Sequence, residues 1–142
     1  MTVPEGTALA RGKTIVLGLL PVDVINRTLG TELEAGEAIL TVRAQDHIAE
    51  DHPEDRNLVM ANLQAVITNP TYIGQSPHHG AAFELVRRVI LPGTDKHVLA
   101  AVHLIPNASG SYSVHSAYVI NQAKVDRRIA RGRLFNAKNK GP

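Results

Sequence analysis

Four side chains in two short stretches of the sequence carry groups that could transfer protons or bind a phosphate. His47 and His52 lie in "DHIAEDHPEDR", and Ser116 and Tyr118 lie in "SVHSAYVI". An imidazole titrates near neutral pH, so either histidine could act as a general acid or base without a metal ion. Alternation along a strand puts Ser116 and Tyr118 on one face, and Val114 with them. The two hydroxyls therefore point the same way.

Each of the two histidines has a charged neighbour one helical turn away, which bears on an acid–base role. Asp51 lies one helical turn after His47, where its carboxylate can orient the ring. Arg56 lies one turn after His52, and a guanidinium beside an imidazole is favourable when an anion such as phosphate lies between them. Two alternatives stay open at this point. Asp51 could cap a helix in a capping box with Glu54, leaving the other groups solvated, and the strand hydroxyls could be ordinary hydrogen-bonded groups.

The histidines do not predict a metal site. His47 and His52 are five residues apart, which places them about 140° apart on a regular helix, so they cannot bind one ion from one helical face. The chain has no cysteine, which excludes a thiolate zinc site and a disulfide framework. We therefore expect chemistry without a metal ion or any other cofactor.

Length and composition predict a single compact domain. The chain has 142 residues, 44% of them hydrophobic. It has no run of about 18 uncharged apolar residues, so we expect no membrane segment. We expect a flexible leader over residues 1–12, a single domain over residues 13–135 and a flexible tail over residues 136–142.

Charge is unevenly distributed along the chain. Residues 1–82 contain five Lys or Arg and ten Asp or Glu, a net charge of −5, whereas residues 83–142 contain ten and three, a net charge of +7. The densest basic stretch, "KVDRRIARGRLFNAKNK", includes Arg127 and Arg128. A basic half of this kind favours binding to a polyanion. The alternative is a solvated basic segment that aids solubility.

The first half of the chain reads as mostly helical. A strand is expected near residues 13–20, a short helix over residues 21–29, and a second strand at "EAILTVR", where a helix is also possible. Residues 44–68 are expected to form two helices, or one helix kinked at Pro53. Their buried face is predicted by residues that recur at helical spacing, namely Val59, Leu63, Val66 and Ile67.

The second half of the chain reads as strands. Runs of β-branched and apolar residues separated by turn-forming clusters predict antiparallel strands near residues 82–91, 97–105 and 111–121. Helices followed by strands indicate an α+β fold. We expect an N-terminal helical layer packed on an antiparallel meander sheet of about four strands.

The segment "DHIAEDHPEDRNLVMANLQAVITNPTYI" and the later strand "HSAYVI" together resemble the phage-associated nucleases of the barnase, EndoU, colicin and RelE superfamily. In that superfamily a short helical layer precedes a four-stranded antiparallel sheet. Its phage branch typically shows a His-bearing helix, an Asn-Pro or Pro-Asp stop and a Ser/Thr-x-Tyr pair on a late strand. The matching positions here are His47 or His52, Asn69-Pro70, and Ser116 with Tyr118.

The resemblance implies metal-independent, toxin-like cleavage of RNA, in which the ribose 2′-hydroxyl attacks the adjacent phosphorus and leaves a 2′,3′-cyclic phosphate. The histidines would transfer protons, and Ser116 and Tyr118 would bind the phosphate. The cationic residues expected to bind phosphate or RNA are Arg56, Arg87, Arg88, Arg127 and Arg128.

The resemblance also implies a setting and partners. The protein would act in a cytoplasm, as part of a delivered toxin or a phage protein, with RNA as its substrate and a cognate inhibitor or immunity protein as a second partner. Two other hypotheses remain. One is a non-catalytic phage structural or nucleic-acid-binding domain of the same fold, and the other is a metal-dependent or small-molecule hydrolase.

Overall fold

The computed structural model describes residues 13–76 and 81–137, and over these ranges the fold is α+β, as predicted. The strands are β1 (Ile15–Leu19), β2 (Glu37–Leu40), β3 (Tyr72–Gln75), β4 (Ala82–Arg88), β5 (Lys96–His103), β6 (Tyr112–Asn121) and β7 (Leu134–Asn136). The helices are α1 (Val22–Leu29), α2 (Val42–Asp51), α3 (Arg56–Thr68) and α4 (Gln122–Ala130), with a 3₁₀ turn at Pro53–Asp55.

The predicted leader and most of the predicted tail lie outside the described residues. The leader covers residues 1–12, and the undescribed part of the tail is residues 138–142. The domain was predicted to end at residue 135. The last described strand, β7, ends one residue later, at Asn136.

The seven described strands form one mixed sheet in the order β1-β2-β6-β5-β4-β3-β7. The consecutive strands β3 to β6 pair antiparallel, as the meander prediction required. The prediction of an antiparallel sheet of about four strands is nevertheless wrong, because three more strands extend the sheet and β2 pairs parallel with β6 through Ala38↔Tyr112 and Ile39↔Ser113. Strands were expected near β1 and at "EAILTVR", which contains β2, but their addition to this sheet was not, and β7 has only three residues, too few for periodicity to identify it.

For the stretch "EAILTVR" the sequence allowed either a strand or a helix. In the structure it contains all of strand β2 and the first residues of helix α2. Strand β2 ends at Leu40, and the hydroxyl of Thr41 accepts a hydrogen bond from the backbone N–H of Ala44 at 3.2 Å. This is an N-cap, which satisfies one of the free N–H groups of a first helical turn. Helix α2 therefore begins at Val42.

A glycine before β2 lets that strand approach β6 closely. A Cβ atom at Gly36 would lie 2.5 Å from the carbonyl oxygen of Gly110 and 2.9 Å from the ring of Tyr112. The hydroxyl of Tyr112 donates to the carbonyl oxygen of Glu34 at 2.7 Å and secures the same approach. The parallel pairing of β2 with β6 depends on this contact.

Helices α1, α2 and α3 cover one face of the sheet. The predicted break is confirmed, because α2 ends at Asp51 and α3 begins at Arg56, on either side of Pro53. The predicted buried face of α3 is confirmed as well, at Val59, Leu63, Val66 and Ile67. These side chains share a core with Phe83 and with apolar residues of α1 and α2, and burying each stabilises the fold by about 1.5–3 kcal/mol. No helix in the described ranges is long and apolar enough to cross a membrane.

Helix α4 covers part of the opposite face of the sheet. Its Val125 is fully buried in a second, smaller core formed with Val86, Leu99, Ile120 and Leu134. Both faces of the central strands are therefore buried, and β5 has six consecutive buried residues. The two cores are named here the α1–α3 face and the α4 face.

Strand β6 contains one residue more than β5 opposite it. On β5, Ala101 pairs with Ser116 and the next residue, Val102, pairs with Val114. His115 therefore has no residue opposite it in the β5 register. An insertion of this kind is a β-bulge and shifts the alternation of the strand by one residue. Val114 therefore lies in the core of the α1–α3 face, whereas Tyr118 packs on the α4 face. Ser116 is two residues before Tyr118 in unbroken pairing, so it lies on the same side as Tyr118. The prediction that Val114 shares their face is wrong, and the prediction that the two hydroxyls share one is confirmed.

Candidate active site

A buried amide anchors helix α2 beside β6. Gln45 is buried, and its Nε2 donates to the carbonyl oxygens of Lys13 at 2.8 Å and Leu40 at 3.1 Å. Ala44 and Ile48 pack in the core on the same side of the helix. The exposed side of α2, which carries His47, is consequently held at a fixed position against β6.

His52 reaches the same place as His47 because the helix ends between them. On a continuous helix their side chains would point about 140° apart. Pro53 disfavours the helical conformation for the residue before it, and His52 has φ −141° and ψ 71° at the C-terminal end of α2. The angle of about 140° on a regular helix, which argued against joint binding of a metal ion by His47 and His52, therefore does not apply across this break.

A cavity of about 330 Å³ lies between the end of α2 and the edge of β6. No strand in the described ranges pairs with this side of β6 beyond Ser113. The ring centroids of His52 and Tyr118 are 6.5 Å apart, with an angle of 39° between the ring planes. The cavity is lined by all four residues predicted to be catalytic, His47, His52, Ser116 and Tyr118, together with Ile48, Asp51, His115 and Ala117.

The predicted partnership of His47 with Asp51 has suitable geometry. The Nε2 atom of His47 lies 3.7 Å from Oδ2 of Asp51, and both side chains are more than half exposed. The alternative capping role for Asp51 is not seen, since it is the last residue of α2 and the 3₁₀ turn that follows has no side-chain cap. Asp51 is thus available to face the imidazole.

An ion pair that the sequence did not indicate lies on the α4 face beside Tyr118. Nη1 of Arg128 is 2.5 Å from Oε1 of Glu84, whose side chain is only 4% exposed. Glu84 and Ser116 flank Ala101 in one row across strands β4, β5 and β6. Directly paired residues on neighbouring strands are close in space, so the ion pair lies one small residue from the predicted phosphate-binding hydroxyl. A single carboxylate inside the apolar run "AFELV" was the signal available in the sequence.

Burial dominates the titration of this cluster. It raises the pKa of the Glu84 carboxyl above its ordinary value, although the charge and hydrogen bond of Arg128 and the charge of Arg133 act in the opposite direction. Burial also raises the pKa of the Tyr118 hydroxyl, and the charge of Glu84 adds to that effect, while Arg128 opposes it through its charge and a hydrogen bond. Tyr118 is therefore neutral near pH 7: its oxygen accepts the hydrogen bond from Arg128, and its hydroxyl proton remains available to donate.

The structure separates the other predicted cationic residues from this cavity. Arg87 donates from Nη1 to the carbonyl oxygen of Asn69 at 2.7 Å and so binds the C-terminal end of α3. Arg56 begins α3 and contacts the side chain of Asn57 at 3.4 Å. The exposed residues Arg88 and Arg127 lie on β4 and α4 and do not line the cavity. Of the five predicted cationic residues, the structure brings Arg128 next to Tyr118.

One group of side chains in the described ranges has the spacing to hold a metal ion. Ligand atoms of His52, Glu54 and Asp55 lie within 4.8 Å of one another at the 3₁₀ turn. Two of the three residues are exposed, and Asp55 is partly exposed. Exposed carboxylates at a turn often have this spacing without a metal ion, so the geometry alone assigns no ion to this turn. It does offer His52 a role different from proton transfer, which an experiment in chelator distinguishes.

Imidazoles and hydroxyls line the cavity, and the Arg128 guanidinium contacts Tyr118 from the α4 face; acid–base chemistry on a phosphate ester uses groups of these three kinds. A family model described as phage-Barnase-EndoU-ColicinE5/D-RelE like nuclease3 matches residues 17–127. The chain belongs to this family, and the predicted resemblance is confirmed. No curated protein and no solved structure matches the chain. The family match includes both histidines, Glu84, Ser116 and Tyr118, and it ends one residue before Arg128.

Proposed function

We propose that the protein is a metal-independent endoribonuclease with a toxin-like role. The observation that carries the proposal is that His47, His52, Ser116 and Tyr118 line a single cavity, although they come from two elements far apart in the sequence. Membership of a nuclease family supports the general class of activity. The choice of RNA as substrate rests on the presence of two imidazoles for proton transfer.

The proposed reaction is an internal transfer of the phosphodiester. A base removes the proton of the ribose 2′-hydroxyl, and the 2′-oxygen forms a bond to phosphorus. The bond from phosphorus to the 5′-oxygen breaks, and an acid donates a proton to that leaving oxygen. We assign the two proton transfers to His47 and His52, one to each, because both rings border the space that the phosphate would occupy.

The remaining groups would stabilise the charge that develops on the phosphoryl oxygens. Tyr118 is a neutral donor beside His52, and Ser116 offers a second hydroxyl two residues before it on the same face. Arg128 supplies the nearby positive charge, and Glu84 holds its guanidinium in place. Donors that are fixed before the reaction stabilise the transition state without having to reorganise.

Total RNA should be cleaved in the presence of excess EDTA, and the products should end in a 2′,3′-cyclic phosphate and a 5′-hydroxyl. DNA and 2′-O-methyl RNA should remain intact, because both lack the attacking hydroxyl. Electrophoresis and end-group analysis of the products test this. Activity that disappears in EDTA and returns with a divalent cation would instead favour a metal ion bound by His52, Glu54 and Asp55.

Tyr118→Phe should reduce cleavage strongly while leaving the fold intact. The change removes one hydroxyl and keeps the ring that packs against the α4-face core, and one lost donor to the developing charge costs about 10²–10³-fold in rate. Ser116→Ala should have a smaller effect in the same direction. The measurements are kcat on an RNA oligonucleotide and the free energy of unfolding. Ser111→Ala, which removes a hydroxyl immediately before β6 that does not line this cavity, is the matched control.

A binding domain without catalytic activity is the second candidate function, and the exposed arginines Arg127, Arg131 and Arg133 in and after α4 favour it. Basic side chains in a row are suited to contacts with a phosphate backbone. Binding of RNA without turnover would select this function. If the chain does cleave RNA in a cytoplasm, a cognate inhibitor protein becomes a necessary partner, and host cells should tolerate the inactive variants better than the parent protein.

A further inference from the structure

A second cavity continues the first one along β6. It has a volume of about 460 Å³ and lies between the start of α2, the end of β5 and the first residues of β6. His47 and His115 line both cavities and form the wall between them. The two cavities therefore make one groove along the edge of β6, and the candidate catalytic residues occupy one half of it.

Every side chain that lines the second cavity is either basic or uncharged. Arg43 projects into it from α2, and His47, His103 and His115 supply three imidazoles. The rings of His103 and His115 meet edge to face, with centroids 5.0 Å apart. None of the residues that line this cavity is acidic. A site with one permanent cation and several imidazoles, without a carboxylate, is suited to an anion.

The position of the second cavity relative to the first fits a nucleic-acid strand. It is lined by residues 113–115 of β6, and the first cavity by residues 115–118. His115 is the extra residue of the bulge, so Val114 and Ser116 lie one strand step apart, and at about 3.3 Å per step the centres of these two segments are offset by roughly 5 Å along the strand. This offset is comparable with the separation of neighbouring phosphates along an extended strand.

We propose that the second cavity is a subsite that binds the phosphate of a nucleotide next to the cleaved bond. The proposal rests on the proposed function for the identity of the substrate as RNA, and it adds that the protein contacts at least two successive phosphates. Arg43 and His103 contact this second phosphate and so make the protein prefer longer RNA substrates. An RNA that is too short to reach the subsite loses those contacts.

The test is calorimetric binding of 2′-O-methyl oligonucleotides, which carry the phosphates but cannot be cleaved by 2′-hydroxyl attack. The parent protein should bind a hexanucleotide at least tenfold more tightly than a dinucleoside monophosphate, which has a single phosphate. Arg43→Gln and His103→Gln should each weaken hexanucleotide binding by about tenfold or more, as expected for loss of a charged hydrogen bond to phosphate. Arg43→Gln should also lower the salt dependence of log Kd by about 0.7.

Arg27→Gln is the matched control, because it removes the same charge from an exposed position at the end of α1, away from the groove. Hexanucleotide binding by Arg43→Gln and His103→Gln at the parental affinity would overturn the subsite, whether or not the protein cleaves RNA. Conversely, length-dependent binding that both variants weaken would support the subsite even if no RNA cleavage is found. The failure of the subsite and the failure of the nuclease proposal are thus separate results.

Discussion

His52→Ala should lower the rate of RNA cleavage by about 10²–10⁴-fold, the usual contribution of one positioned acid or base. The ring lies 6.5 Å from that of Tyr118, at the wall of the cavity where the phosphate is proposed to bind. Its side chain is exposed and lies outside both cores, so the loss should arise from chemistry and not from unfolding. The measurements are kcat/KM and thermal unfolding of the same preparation.

His47→Ala should cause a loss of similar size but a different change in the pH profile. If one imidazole is the base and the other the acid, the parent protein has a bell-shaped dependence of kcat/KM on pH. Each variant should then lose a different limb of that bell. A merely structural role would lower the whole curve without changing its shape.

Glu50→Ala serves as the control on the same helix, since Glu50 is exposed and lines neither cavity. It should leave both rate and stability close to those of the parent, within about 0.5 kcal/mol for the free energy of unfolding. If His47→Ala and His52→Ala both cleave RNA at the parental rate, neither histidine transfers a proton in the reaction.

Arg128→Ala should be the most destabilising single change near the site, by about 3–5 kcal/mol at neutral pH. The replacement leaves the Glu84 carboxylate, with 4% of its side chain exposed, buried without its cationic partner. It should also abolish cleavage, because the guanidinium beside Tyr118 is lost. Chemical denaturation gives the stability, and the cleavage assay gives the activity.

The stability loss in Arg128→Ala should depend on pH in a definite direction. The pKa of Glu84 is already raised by burial, so the stability it contributes is complete below the ordinary pKa of a glutamate and is lost as the pH rises through the raised value. Removing Arg128 removes an influence that lowers this pKa, so the variant should lose more stability than the parent as the pH rises from about 4 to 7. A constant difference across this range would contradict the buried-charge explanation.

Two further variants isolate the ion pair. Glu84→Gln combined with Arg128→Ala should recover much of the stability lost in Arg128→Ala alone, because no charge is then buried without a partner. Arg127→Ala changes the adjacent exposed arginine, and should alter the free energy of unfolding by no more than about 0.5 kcal/mol. These variants separate the effect of the buried pair from that of the basic charge on α4.

The sequence predicted the elements whose patterns are long and regular. Residues 56–68 have a complete helical stripe of buried side chains, and β4, β5 and β6 are runs of seven, eight and ten residues. Such runs carry a periodicity that a shorter element lacks. The four candidate catalytic residues were identified from their chemistry, and their gathering in one cavity depended on a helix end that Pro53 made predictable.

Two features that the sequence did not predict, the pairing of β2 with β6 and a buried ion pair, are contacts between distant elements. The parallel pairing of β2 with β6 joins residues more than seventy positions apart and depends on a close approach at Gly36. The ion pair of Glu84 with Arg128 joins β4 to α4 across 44 positions. Neither pairing has a local signature, and a lone acidic residue in a strand does not say which cation will reach it.

The extra residue in β6 has an evolutionary consequence. If His115 were deleted, Val114 would be followed directly by Ser116, and every other side chain of the strand would keep the face it now occupies. The imidazole is therefore an addition to a complete strand, and selection could acquire or discard it without repacking either core. Positions of this kind can diverge rapidly between relatives while the fold stays the same, so we expect position 115, unlike the catalytic candidate His47 beside it, to be among the most variable parts of the groove in this family.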